Sequence, residues 1–137
     1  MEKKYRIGIV ASRFNGEYVD GLVDSAVQVL EDHTVLVRRV PGAFEIPLAV
    51  QRLLETHEAD AVLTFGLIWQ GETPHADLIG KEVTRALMDL SLEYDTPVLH
   101  AVLMVRTEDQ AKARCLGTDL NRGRETAEAA LSMLEEN

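Results

Sequence analysis

Four short apolar runs, separated by segments with helical periodicity, constrain this chain more than any other feature. Arg6–Ala11, Thr34–Arg38, Ala61–Ile68 and Val98–Val105 each read as a strand. After the first run, Val19, Leu22, Val23, Ala26, Val27 and Leu30 recur at helical spacing. Ile46, Ala49, Val50, Leu53 and Leu54 mark a second helix, with Pro47 tolerated in its first turn. Ile79, Val83, Ala86, Leu87 and Leu90 mark a third, ending near Tyr94. Thr107–Gln110 has the pattern of a capping box opening a short helix that Gly117 can close, and Ala127, Ala130, Leu131 and Leu134 mark the last one. The order βαβαβαβαα predicts a mainly parallel, four-stranded sheet with helices on both faces. With no internal repeat, linker or low-complexity tract, residues 1–137 read as one α/β domain.

Charge narrows the classes of function. Fourteen basic residues against 23 acidic ones leave a formal net charge of −9. Nucleic acid and anionic membranes both ask for a positive surface, so neither is an expected partner. A small anionic substrate needs only a local basic pocket and stays open. Cys115 is the only cysteine, which removes disulfide frameworks and cysteine-based metal sites. The start, Met1–Tyr5, runs into the first strand with no signal-peptide pattern, and no apolar run is long enough to span a bilayer. A cytoplasmic protein is expected.

In a parallel sheet of this kind ligands bind beyond the carboxyl ends of the strands. The segments to inspect are therefore 12–16, 39–45, 68–75 and 106–107. In the third, Thr73 suits a helix N-cap and Pro74 a first helical position, which puts His75 in the first turn. That end of a helix attracts anions and disfavours positive charge, so a histidine there suits proton acceptance. Gly71 lets the backbone approach a ligand. In the second, Pro41-Gly42 suits a tight turn and Glu45 sits near the next helix start. In the first, Phe14 stands where an aromatic ring can stack on a flat heterocycle. Arg114 falls at the end of the short helix, and an arginine can clamp a phosphate with paired donors. Each segment alone also reads as an ordinary strand-to-helix connection, a lid on the core or a solvated helix end.

Together they are more specific. Arg13-Phe14-Asn15, the run Pro41–Pro47 (PGAFEIP) and Gly71-Glu72-Thr73-Pro74-His75, in this order and spacing, resemble the 6,7-dimethyl-8-ribityllumazine synthase family of riboflavin biosynthesis. Asp109-Gln110-Ala111 leading to Arg114, with a second basic residue at Arg122, adds to the match, which runs from Arg6 to about Leu134. The resemblance implies a flavodoxin-like three-layer sandwich and a homopentamer, sometimes twelve pentamers in a hollow shell. It implies condensation of 5-amino-6-(ribitylamino)uracil with 3,4-dihydroxy-2-butanone 4-phosphate, with loss of phosphate and water and without cofactor or metal.

It also implies roles. Phe14 would stack on the pyrimidine, while Ala43, Phe44 and Glu45 would hold the ribityl chain and its surroundings. Leu67, Ile68 and Trp69 would line the pyrimidine pocket, and Glu72 and Thr73 would hold the ketone phosphate. His75 would move protons and Arg114 would hold the phosphate. In this family the site lies between neighbouring subunits, with the His100 and Arg114 positions supplied by the partner. Some positions depart from the family's usual residues: Gln70 stands for an arginine, Pro74 for threonine or serine, His100 for phenylalanine and Met104-Val105 for a threonine pair. These departures keep a second reading open, a non-catalytic riboflavin-binding homologue. A pentameric archaeal-type riboflavin synthase, a sister family, is weaker, since the Gly71–His75 segment and Ala43-Phe44-Glu45 favour the first reading.

Overall fold

The computed structural model describes residues 3–71 and 74–136. Among these lie four strands, β1 (Arg6–Ser12), β2 (Thr34–Val40), β3 (Ala61–Trp69) and β4 (Val98–Val105), and five helices, α1 (Gly16–Val29), α2 (Ile46–Glu55), α3 (Pro74–Tyr94), α4 (Glu108–Leu116) and α5 (Arg122–Glu135). The strands run one or two residues past the ends that hydrophobicity alone suggested, up to Ser12, Val40 and Trp69. Ladder pairing continues there although the side chains turn polar or bulky, as in the Ser12–Val40 pair.

The sheet is wholly parallel, in the order β2-β1-β3-β4. The chain thus winds outward from β1 in one direction and then the other, as the doubly wound order of flavodoxin-like sheets requires. The central strand β3 is buried on both faces over Ala61–Ile68, which explains its unbroken apolar run. Its odd-numbered residues Leu63, Phe65 and Leu67 join Ile7, Ile9 and the apolar stripes of α1, α4 and α5. Its even-numbered residues Val62 and Ile68 join Val10 and the stripes of α2 and α3. Phe65 and Leu63 are fully buried, and each such side chain contributes roughly 1.5–3 kcal/mol. Thr64 faces the same core yet donates its hydroxyl to Leu99 O at 2.9 Å, so no polar group is stranded there.

Two helix ends differ from expectation. At α4, Thr107 accepts from Gln110 N at 3.1 Å as a cap should, but the Gln110 side chain accepts from Arg106 N at 2.8 Å, one residue before the cap. The reciprocal box is therefore offset outward, where the Arg106 amide lies free beyond β4. Gly117 does close α4, but in extended backbone (φ −76°, ψ 172°) rather than left-handed. The glycine is needed for space, since a Cβ would come 2.5 Å from Ala113 O. No helix among the described residues is long and apolar enough to cross a membrane.

Candidate active site

Three strand-to-helix loops converge beside the switch from β1 to β3. The β1 loop is tied to the β2 loop by the backbone: Arg13 N donates to Val40 O at 2.7 Å and Phe14 N to Pro41 O at 3.0 Å. It is tied to β3 by one side chain. Asn15 donates Nδ2–H to Leu67 O at 2.7 Å and accepts the Trp69 indole N–H at 3.1 Å. Asn15 adopts a left-handed backbone (φ 60°, ψ 39°), which asparagine tolerates better than most residues. It stands at the N-cap of α1 but makes no side-chain cap, because its amide is engaged with β3.

The β2 loop forms a single 3₁₀ turn, Ala43–Glu45, closed by the Glu45 carboxylate accepting from Gly42 N at 2.9 Å. A side chain at 42 would not fit, since a Cβ there would stand 2.9 Å from the Phe14 ring. Trp69 packs edge-on against buried Tyr18 at 5.9 Å, which sets the indole against α1. The third loop turns at Gly71 (φ 96°) and enters α3 at Pro74, so His75 is the second residue of that helix and exposed.

These loops enclose a cavity of about 610 Å³, lined by Phe14, Asn15, Gly42–Glu45, Leu67–Trp69, His75 and Ile79. The size suits a small heterocyclic ligand. Its two phenyl rings, Phe14 and Phe44, are 68% and 64% exposed, although a phenyl ring normally seeks the core. Neither is a lid on the core or part of it. Exposed apolar surface around a concavity marks a binding site rather than a packing defect.

The structure thus brings Phe14, Ala43, Phe44, Glu45, Leu67, Ile68, Trp69 and His75 around one hollow. Glu72 and Thr73 lie outside the described residues. His100 and Arg114 line a different depression of about 410 Å³ with Val102, Leu103, Met104 and Arg122, on the β4 side of the sheet. Among the described residues, half-buried Arg114 donates to Met104 O at 3.4 Å. One chain therefore holds these residues in two separate depressions. His100 lies at the β4 edge, and partial burial, with the Arg122 charge added, pushes its pKa below the ordinary value. Cys115 takes no part: burial pushes its thiol up to about 11, which leaves it a protonated core residue.

Asn15, Gly42, Ile79 and Arg106 were not singled out as site residues by sequence. Ile79 stands one helical turn after His75, a spacing that could have flagged it. Asn15 and Gly42 act through contacts across the chain, which local patterning does not encode. The Arg106 guanidinium lies against Gly71, within 3.3 Å of where a Cβ would be.

The family model described as 6,7-dimethyl-8-ribityllumazine synthase matches residues 4–137. A protein of that name from Burkholderia mallei (strain SAVP1) is 41% identical over 133 residues, covering 93% of this chain and 75% of the relative. One from Salinibacter ruber (strain DSM 13855 / M31) is 40% identical over 134 residues, covering 94% and 86%. Among solved structures, a de novo designed Rossmann fold protein superposes with a TM-score of 0.46 at 13% identity, over 78% of this chain and 90% of that one. The match along nearly the full chain means that the chain belongs to the 6,7-dimethyl-8-ribityllumazine synthase family.

Proposed function

We propose that this chain is a transferase that condenses 5-amino-6-(ribitylamino)uracil with 3,4-dihydroxy-2-butanone 4-phosphate to give 6,7-dimethyl-8-ribityllumazine in riboflavin biosynthesis. The observation that carries the reading is the cavity in which the family's segments meet, two exposed phenyl rings and an indole around it and His75 on its wall. The rings offer flat apolar surface to a pyrimidine. Glu45 and the backbone of the 3₁₀ turn offer polar groups to a ribityl chain. His75, in the first turn of α3, takes and returns protons as the substrate amine adds to the ketone, water leaves and phosphate is eliminated. Holding two reactants side by side contributes much of the acceleration.

The active form is an assembly. His100 and Arg114 line a different depression from the chain's own His75 cavity. A neighbouring copy that places its β4 edge over this cavity supplies the aromatic ring and the phosphate arginine together. A reducing cytoplasm suits a chain whose only thiol is buried.

Purified protein mixed with both substrates should form the fluorescent lumazine well above the uncatalysed rate. A rate at background overturns the proposal, and background turnover with tight riboflavin binding would replace it with a flavin-binding role.

A further inference from the structure

His100 makes two hydrogen bonds that define its chemical state. Its Nδ1 accepts from Val102 N–H at 3.1 Å. That amide is an obligate donor on the outer edge of β4, which among the described residues pairs with β3 alone. Nδ1 therefore carries no proton, and the proton of the neutral ring sits on Nε2. Nε2 lies 2.7 Å from Thr84 Oγ1, and the Thr84 hydroxyl donates its own proton to Gly80 O at 2.7 Å. The chain of donors runs Val102 N–H to His100 Nδ1, His100 Nε2–H to Thr84, and Thr84 O–H to Gly80. α3 comes close enough to β4 for this because residue 80 is glycine; a Cβ would run into the Met104 sulfur.

We infer that Thr84 is a positioning residue: it locks His100 in the neutral Nε2–H form, with both ring nitrogens occupied within the chain, so that the imidazole presents an uncharged flat surface to substrate. A histidine held in this way can replace a phenyl ring, because its polar atoms are already satisfied. The inference rests on the proposed function for its consequence, but not for the lock itself.

The surroundings oppose the charged form. Arg114 of α4 and Arg122 of α5 share one hollow with His100, and Glu125, paired with Arg122 at 3.5 Å, lines a second hollow that His100 also borders. On α3, Lys81, Asp77 and Arg85, the last paired with Glu82 at 2.8 Å, line the depression that Thr84 shares with Met104. A proton on Nδ1 would also face the Val102 N–H and break that bond.

The test combines ¹⁵N spectra of the histidine rings with kinetics of the full chain. The His100 signals, identified by their loss in H100F, should show the Nε2–H tautomer in the unsubstituted protein and in T84S, and a mixture of tautomers in T84V. T84V should raise KM for the aminouracil about 5- to 10-fold, the loss expected for one hydrogen bond, and T84S should restore it. In an H100F background T84V should add nothing further, because the partner of Thr84 is gone. An Nδ1–H tautomer in the unsubstituted protein overturns the lock. An equal KM effect of T84V with and without His100 overturns its role in substrate binding. Absence of turnover with the Nε2–H tautomer intact refutes the proposed reaction and leaves the lock standing.

Discussion

At the scale of single residues, Asn15 and His75 have separable tasks. Asn15 couples the β1 loop to β3 through Leu67 O and the Trp69 indole. Asn15→Ala removes both bonds and leaves a β-carbon in left-handed backbone without its local support. A loss of about 2–3 kcal/mol is expected, and urea unfolding at constant slope measures it. A midpoint unchanged from the parent would show that the latch contributes nothing. His75→Asn keeps the helix start but removes the titratable ring. It should lower kcat by roughly 10²-fold or more with a smaller change in KM, since proton transfer matters in the transition state. Both residues lie in motifs visible in the sequence, but only His75 has a chemistry that the sequence suggests. The partners of Asn15 are 52 and 54 residues away along the chain, so its task depends on how the strands are ordered.

At the scale of elements, the two caps on the α4–α5 side set up a graded comparison. Thr107 makes one cap bond on an exposed helix start. Asn121 is 5% exposed, accepts from Arg124 N at 2.9 Å, and donates to Ser25 Oγ and Gly117 O. Thr107→Ala should cost about 1 kcal/mol, whereas Asn121→Ala should cost about twice that, because it also leaves the Gly117 carbonyl and α1 unpaired. Thermal unfolding should place the two variants in that order, and the reverse order would show that the Asn121 bridge to α1 is not a support. The strands and helices themselves were legible because burial imposes their periods. β3 reads as unbroken because it is covered on both faces, and α2 reads as helical because Val50, Leu53 and Leu54 meet the sheet. The offset of the α4 box and the extended Gly117 were not legible, since both depend on what Arg106 and Ala113 offer in space.

At the scale of the molecule, the pH sensitivity of His100 belongs to the β4 edge of the sheet, the edge that the assembly proposed above uses. The folded state holds the pKa of His100 below its ordinary value of about 6.5, so the fold favours the neutral ring. The unfolded chain then binds more protons. Stability contributed by the neutral ring is fully present above about pH 6.5, is lost as pH falls through that value toward the lowered folded pKa, and levels off below it. Urea midpoints followed from pH 7.5 to 5 should show this slope in the parent and a shallower one in H100F; equal slopes would assign the acid sensitivity to other groups. A native mass measurement should give five copies or sixty. A monomer retaining full turnover would exclude a site shared between subunits.

The sequence by itself determined the alternation of strands and helices, because the period of apolar residues records which sides of each element are buried, and that alternation pointed to the carboxyl ends of the strands as the place for a site. It also marked most of the cavity wall, because those residues sit together in strand-to-helix loops. Only the tertiary structure decided that Phe14 and Phe44 stand exposed over a hollow, that Asn15 joins β1 to β3, and that His100 and Arg114 line a different depression from His75. It alone brought the Val102 amide and the Thr84 hydroxyl to the two ring nitrogens of His100. Those outcomes depend on contacts between side chains and backbone groups far apart in sequence, and such contacts exist only once strand order and helix approach are set.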